Sequence, residues 1–158
     1  MQSFNEGQAV TEAFKGKKVA VVVLPGNIED NHSTQSDVYT YEFSNMSNGL
    51  VNALSRKMSG QTKAFKILKP TNLSEVEAGF DYYLFPRLQS RSVNDFWTMG
   101  CLITYRLVIK DKEQKVLSDV EDKGKRNFFD SGQANSKCKI AMEEVFEKVT
   151  SKALLSVR

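Results

Sequence analysis

Acidic residues and the chain's single histidine fall close together in one polar segment. Glu29, Asp30, His32 and Asp37 lie within residues 27–40, a stretch otherwise rich in Asn, Ser and Thr. Carboxylates beside an imidazole could bind a metal or transfer a proton. Their spacing matches neither a calcium-binding loop nor the paired ligands of a zinc site. We therefore interpret residues 27–40 as a solvated surface loop, and keep a small cytosolic enzyme with His32 as acid or base as an alternative.

Other signatures of catalysis are missing from the sequence. The segment that begins at Leu24 and continues through Gly26 follows a strand-like run, but it has one glycine where a dinucleotide-binding loop has three. It also lacks the Gly-Lys-Ser/Thr ending of a phosphate-binding loop, and no serine stands in a Gly-x-Ser-x-Gly turn. The sequence predicts a protein that is not an enzyme and has no cofactor or metal.

Cys101 and Cys138 are the two cysteines, and neither has a Cys or His neighbour at metal-ligand spacing. Two interpretations stay open. The cysteines are either buried thiols that act as small apolar residues, or a disulfide, which would fit an oxidising compartment. The surrounding patterns place Cys101 on the inward face of a strand and Cys138 on the inward stripe of a helix. Both could therefore contact the same core.

Arginines and large aromatic rings concentrate between residues 85 and 97. Arg87, Arg91, Phe96 and Trp97 are of the types that anchor protein interfaces, because broad rings exclude water and guanidinium groups make several directed contacts. The alternative is a long hairpin whose aromatic side chains fold back onto the sheet. We select these four as candidate partner-binding residues, with residues 27–40 as a second contact region.

The strands that must position these residues are visible in the apolar pattern. Residues 19–24 form a β-branched run typical of a buried strand, and residues 101–110 alternate between apolar and polar types. Residues 116–120 follow at hairpin spacing. Shorter strands are predicted at residues 64–69 and 80–85, and Pro86 should make the latter an edge or a bulge. Residues 122–132 read as a charged connection.

Two apolar stripes at helical spacing, residues 43–58 and 138–153, complete the pattern. The length of 158 residues, with 41% hydrophobic and 26% charged, is typical of one globular domain. We predict an α+β fold in which two amphipathic helices pack on one face of a largely antiparallel sheet of four or five strands. Residues 1–18 would form a flexible N-terminal arm or tether, and residues 19–158 the single domain.

The charge balance does not indicate a polyanionic partner. The chain has 22 Lys and Arg against 19 Asp and Glu, for a formal charge of +3, and the basic residues are interleaved with acids. Nucleic-acid-binding proteins usually concentrate positive charge on one face. We therefore predict no nucleic-acid partner and keep nucleic-acid binding as an alternative. No apolar run approaches the ~20 residues of a membrane-spanning helix.

The sequence resembles the lipoprotein domains of the bacterial cell envelope, a broad group with the curli-secretion lipoprotein, penicillin-binding-protein activators and auxiliary lipoproteins of ABC transporters. Residues 17–25 resemble their opening strand, and residues 49–58 resemble the following helix with its Gly-x-x-x-x-Leu pattern. Residues 103–120 resemble their hairpin, and residues 134–155 their terminal helix. The lipobox cysteine is missing from the sequence, and residues 111–115 lack the usual glycine of the hairpin turn.

This resemblance implies a periplasmic, outer-membrane-associated protein held by a lipidated N-terminus, with cytoplasmic location as the alternative. It implies a non-enzymatic accessory role in docking into or assembling an envelope complex, such as secretion or transport machinery. The partners would be other envelope proteins or a second copy of the chain. An alternative is an auxiliary transporter component that binds a lipid between its helices and sheet.

Overall fold

The β-branched run that begins at Val19 is a strand in the structure, a computed structural model that describes residues 13–28, 32–35, 40–43, 46–58, 62–92, 99–129 and 131–157. The strands and helices of this described chain follow in this order: β1 (Lys18–Val22), β2 (His32–Gln35), β3 (Thr40–Phe43), α1 (Met46–Met58), β4 (Ala64–Leu68), β5 (Tyr82–Ser92), β6 (Met99–Asp111), β7 (Val116–Phe128) and α2 (Ala134–Leu155). Short 3-10 turns precede β5 (Leu73–Glu75) and α2 (Ser131–Gln133).

The main sheet has five strands in the order β4-β1-β5-β6-β7. Strands β5, β6 and β7 are antiparallel, whereas β1 runs parallel to both β4 and β5. The predicted α+β class, with two helices and four or five strands, is therefore right for the described chain, but the sheet is mixed. The parallel half follows from connectivity, because α1 lies in the crossover between β1 and β4, and a crossover returns the chain in the same direction.

The segment predicted as one surface loop contains a strand. Residues 32–35 form β2, which pairs antiparallel with β3 in a separate two-stranded sheet. Phe43, which we assigned to the first helical stripe, is the last residue of β3, and α1 begins three residues later at Met46. The four residues of β3 are β-branched or aromatic at three positions, and this strand propensity overrides an apparent helical spacing.

Pro86 lies within β5, and β5 is an interior strand that continues to Ser92, so the predicted strand end at Phe85 is wrong. Pairing with β1 covers β5 only as far as Leu84. The amide of Leu88 donates to Asn27 O at 2.8 Å, on the side of β5 that faces β1. Amides two residues apart point the same way, so the imide nitrogen of Pro86 also faces this side and removes no bond to β6.

Strand β7 is longer than predicted, because residues 122–128 continue the ladder with β6 and do not form a connection. Asp122 and Arg126 face α2 and form ion pairs with Lys148 and Glu144. Between them Gly124 is buried directly under the helix. Residues that we predicted to be a charged connection therefore occupy the inward face of a strand, and α2 supplies the ion-pair partners of Asp122 and Arg126.

The main core lies between the helices and the inward face of the sheet. Odd-numbered residues of β6 from Cys101 to Ile109 are fully buried there, as predicted, beneath the inner stripe of α2. Phe14 is also fully buried in this core and packs its ring against Tyr82. Residues 1–12 of the predicted arm lie outside the described residues. The division into arm and domain stays a prediction. Phe14 belongs to the predicted arm by its number, but its side chain packs in the core of the domain.

A disulfide joins Cys101 in β6 to Cys138 in α2, with Cα atoms 5.5 Å apart. Met99 and Phe128 pack around it in a small cluster of buried residues. The bond fastens the first turns of α2 to the end of the sheet where β6 begins. Of the two interpretations drawn from the sequence, the structure has the disulfide.

Candidate functional site

The outward face of the sheet is divided into a covered half and an open half. Over β4, β1 and the start of β5, Leu68, Phe80, Tyr83 and Phe85 form a second buried cluster. Residues of the segment between β4 and β5 contribute to it, and Tyr83 Oη donates to Glu77 O at 3.0 Å. From Arg87 onward the outward side chains of β5 are exposed at alternate positions, as are those of β7.

We call this second half the open face. Its members share the outward side of β5, β6 and β7 within the described chain, and they are Arg87, Gln89, Arg91, Leu102, Thr104, Arg106, Val108, Lys110, Asp119, Glu121, Lys123 and Lys125. Six of these are basic and two are acidic, an excess of four positive charges on a chain whose formal charge is +3. Basic and acidic residues are interleaved along the sequence, but the strand register brings an excess of basic side chains to this face of the sheet.

Two of the basic side chains on the open face already have partners on the outward side of the sheet. Arg106 donates to both carboxylate oxygens of Asp119 at 2.7 and 2.6 Å. These hydrogen bonds hold the pKa of Asp119 below its usual range and raise the pKa of Arg106. The Nζ of Lys110 lies 4.8 Å from the centroid of the Phe85 ring, a cation–π contact. This end of the open face is therefore internally compensated.

The other four basic residues, Arg87, Arg91, Lys123 and Lys125, have no ion-pair partner among the described residues. We call them the basic patch. The strand register sets Arg91 and Lys125 on either side of Leu102, so their backbones lie about 10 Å apart. Uncompensated cations on a solvated surface are free to bind an anionic partner.

A shallow polar depression lies at the centre of the basic patch. Gln89, Ser90, Arg91, Leu102 and Thr104 line it, and its volume is about 280 Å³. Amide, hydroxyl and guanidinium groups here can donate hydrogen bonds to an anionic oxygen. The depression is too polar for an apolar ligand, but its donors suit a carboxylate or phosphate.

A second concavity lies on the opposite side of the molecule, between α1 and α2. Its volume is about 640 Å³, and the apolar side chains that line it are Leu50, Ala53, Met142 and Phe146. Lys57 and Glu147 form an ion pair of 2.5 Å from one helix to the other across this cleft. The size is that of a small-molecule site, and the lining suits an apolar group.

The structure places Arg87 and Arg91 on the open face, on the same side of β5 and four residues apart. Phe96 and Trp97, the other candidate partner-binding residues, lie outside the described residues. Sequence reasoning missed Lys123 and Lys125, because residues 122–132 were interpreted as a connection. A usable signal was present, since Lys123 and Lys125 alternate with Asp122 and Gly124 at the spacing of a strand.

The polar loop residues Glu29, Asp30 and Asp37 lie outside the described residues, and His32 is described only as the first residue of β2. Within the described ranges, no group of three His, Cys, Asp or Glu side chains could hold a metal ion. The helices of this part of the chain include none that is long and apolar enough to cross a membrane.

Solved structures with the same overall fold include two bacterial proteins. A minor lipoprotein from Acinetobacter baumannii is 12% identical, with a TM-score of 0.51, over 89% of this chain and 92% of the lipoprotein. A hypothetical protein from Chlamydia trachomatis is 9% identical, with a TM-score of 0.50, over 89% of this chain and 96% of the other. Identities this low establish likeness of fold alone. No protein-family model matches the sequence, and no curated protein matches it.

Proposed function

We propose that this chain is an accessory protein of the bacterial cell envelope that catalyses no reaction and acts by docking through the open face of its sheet. The observation that carries the proposal is the basic patch, in which four cations without ion-pair partners share an uncovered surface of the described chain. Charged groups of one sign on one face steer an oppositely charged partner and fix its orientation.

Placement in the envelope is supported by two independent likenesses. The fold is shared with the Acinetobacter baumannii minor lipoprotein, and the opening strand, helix and hairpin resemble those of envelope lipoproteins in sequence. The disulfide between Cys101 and Cys138 suits an oxidising compartment such as the periplasm. We propose a periplasmic protein associated with the outer membrane through a lipidated N-terminus, working within a secretion or transport assembly.

The charge of the open face also bears on the kind of partner. Two copies that met through this face would bring like charges together, which opposes association. The partner we propose is therefore another envelope component with negative charge. Nucleic acid fits less well, because the described part of the open face offers no aromatic ring on which a base could stack.

Lipid binding is the second candidate function, and the cleft between α1 and α2 is the observation that favours it. An acyl chain lying in the cleft would cover the half-buried side chains of Ala53 and Met142, which water now reaches. Native mass spectrometry after mild extraction should then show protein with added lipid mass. Protein that is repeatedly free of added mass would remove this candidate.

The experiment for docking compares two double variants in cells. Arg91→Glu with Lys125→Glu reverses two of the four charges of the basic patch, and Lys112→Glu with Lys115→Glu makes the same charge change in the hairpin turn, away from the patch. With each protein produced in the periplasm without its lipid anchor, we expect the wild type and the turn variant to co-fractionate with envelope assemblies and the patch variant to be released. Equal retention of both variants, or recovery of the wild type with cytosolic material, would contradict the proposal.

A further inference from the structure

We infer that the basic patch binds a layer of phosphate-bearing lipid headgroups, so that the open face is a site for an anionic membrane surface. The inference rests on the proposed function, which makes the open face the docking surface, and it names what that face docks onto. Four basic side chains project from one side of β5 and β7, the two strands that flank β6, and none of the four has an ion-pair partner in the described chain.

The spacing of the cations fits many separate phosphates better than one compact ligand. Arg91 and Lys125 lie about 10 Å apart across β6, and Arg87 and Arg91 lie about 13 Å apart along β5. A single small anion cannot contact all four groups at once. A membrane surface presents phosphates side by side, so all four long side chains can reach one at the same time.

The polar depression beside Arg91 gives one headgroup a place with directed contacts. A guanidinium can bind two oxygens of one phosphate, and the Thr104 hydroxyl and Gln89 amide line the same depression. Its volume of about 280 Å³ is enough for a headgroup, but its lining is polar apart from Leu102 and does not suit an acyl chain. The lipid tail therefore stays in the bilayer.

The composition of the open face favours an anionic membrane over an acidic protein as the partner. The centres of protein interfaces are enriched in Tyr, Trp and other apolar anchors, which become buried in pockets of the partner. In the described part of the open face, the apolar side chains are Leu102 and Val108, both half-buried within the sheet. A surface with basic groups and few anchors suits electrostatic attraction to headgroups.

The expected strength follows from the number of basic residues. Each Lys or Arg close to an anionic membrane strengthens association roughly fivefold, and the attraction weakens with salt. Replacing two members of the basic patch should therefore weaken binding about 25-fold. The Arg106–Asp119 pair is neutral as a unit and adds little.

The test measures co-sedimentation of the full chain with vesicles of phosphatidylcholine, with and without phosphatidylglycerol. We expect binding only to the anionic vesicles, an approximately 25-fold loss for Arg91→Gln with Lys125→Gln, and retention for Arg91→Lys with Lys125→Arg. The matched control, Lys112→Gln with Lys115→Gln, removes the same charge from the hairpin turn and should bind like the wild type. Thermal unfolding of each variant checks that the fold is unchanged.

Three results would overturn the inference. The wild type could fail to bind anionic vesicles, or both neutralised variants could lose affinity equally, which would mean that net charge and not the patch matters. Inorganic phosphate could also bind the protein in a way that anionic vesicles do not compete with, which would indicate a site for free phosphate. If vesicles are not bound but the patch variant is still released from envelope assemblies, the partner is an acidic protein, and the proposed function stands without this inference.

Discussion

At Gly124 the backbone of β7 lies so close to α2 that no side chain fits between them. A Cβ atom at this position would come within 2.5 Å of the carbonyl oxygen of Ala141 and 3.2 Å of Val145 Cβ. Gly124→Ala must therefore displace the helix, and we expect the free energy of unfolding to fall by about 1–3 kcal/mol. Urea unfolding monitored by circular dichroism measures the change.

Gly49 in α1 provides the matched control for this substitution. Its added Cβ would meet only Met142 Cε at 3.7 Å, an ordinary contact. Alanine favours the helix over glycine, so Gly49→Ala should raise the free energy of unfolding by up to about 1 kcal/mol. Equal effects of the two substitutions would show that α2 does not lie against β7 as described.

Because Tyr105 is buried, the stability of the protein should fall at alkaline pH. Its side chain is fully buried beside Phe146, and the hydroxyl of Thr150 donates to its Oη at 3.4 Å. Burial raises the pKa of the Tyr105 phenol, an effect that the hydrogen bond with Thr150 partly offsets. In the unfolded chain the phenol titrates near its ordinary pKa of about 10.

The folded protein therefore keeps a proton that the unfolded chain loses above about pH 10, and stability must fall as the pH rises. The slope approaches about 1.4 kcal/mol per pH unit for this one group. Tyr105→Phe keeps the ring and should lose less stability than the wild type over this range. Urea titrations on both sides of about pH 10 measure the difference, and parallel losses in the two proteins would contradict the burial of this phenol.

At the scale of elements, the Cys101–Cys138 disulfide is the covalent link between sheet and helix. It closes a loop with a sequence separation of 37, for which chain entropy alone gives a stabilisation of about 3–4 kcal/mol. Reductant should lower the free energy of unfolding of the wild type by about this amount. Cys101→Ala with Cys138→Ala should be less stable from the outset and insensitive to reductant. Two thiols that react freely in the folded, unreduced protein would contradict the link.

The elements that sequence predicts well are those whose own residues carry the pattern. Residues 101–110 alternate because β6 buries one face, and the stripe of α2 is equally local. The parallel pairing of β1 with β4 and β5 depends on where a crossover returns, which no local pattern encodes. The second half of β7 could not be predicted from its own sequence for a related reason. Asp122 and Arg126 become compatible with an inward face only through their partners on α2.

Two of the four members of the basic patch could be selected from the sequence, and the other two could not, because local pattern does not encode strand pairing. Arg87 and Arg91 attract notice by residue type, although they lie within β5, beyond the strand end predicted at Phe85. Lys123 and Lys125 belong to the site only because β6 and β7 pair over their whole lengths. A patch built from two strands that are not neighbours in the sheet is a property of register, which the sequence of each strand does not contain.

For the whole molecule, the sheet has two faces with different tasks. The inward face holds the core under two helices, and the open face collects an excess of positive charge greater than the formal charge of the chain. Docking through the open face should weaken as salt rises, because the Debye length falls from about 10 Å at 0.1 M to about 3 Å at 1 M. Salt titration of the envelope-bound protein, produced without a lipid anchor, measures this, and salt-resistant retention would contradict docking by charge.

Site-specific photo-crosslinking tests the docking claim most directly. A photoreactive amino acid at Gln89, in the middle of the basic patch, is compared in intact cells with the same amino acid at Gln114, an exposed residue of the hairpin turn. We predict crosslinks to envelope components from position 89 and few or none from position 114. Crosslinks from position 114 alone, or adducts at position 89 that contain only cytosolic proteins, would contradict an envelope protein that docks by the open face.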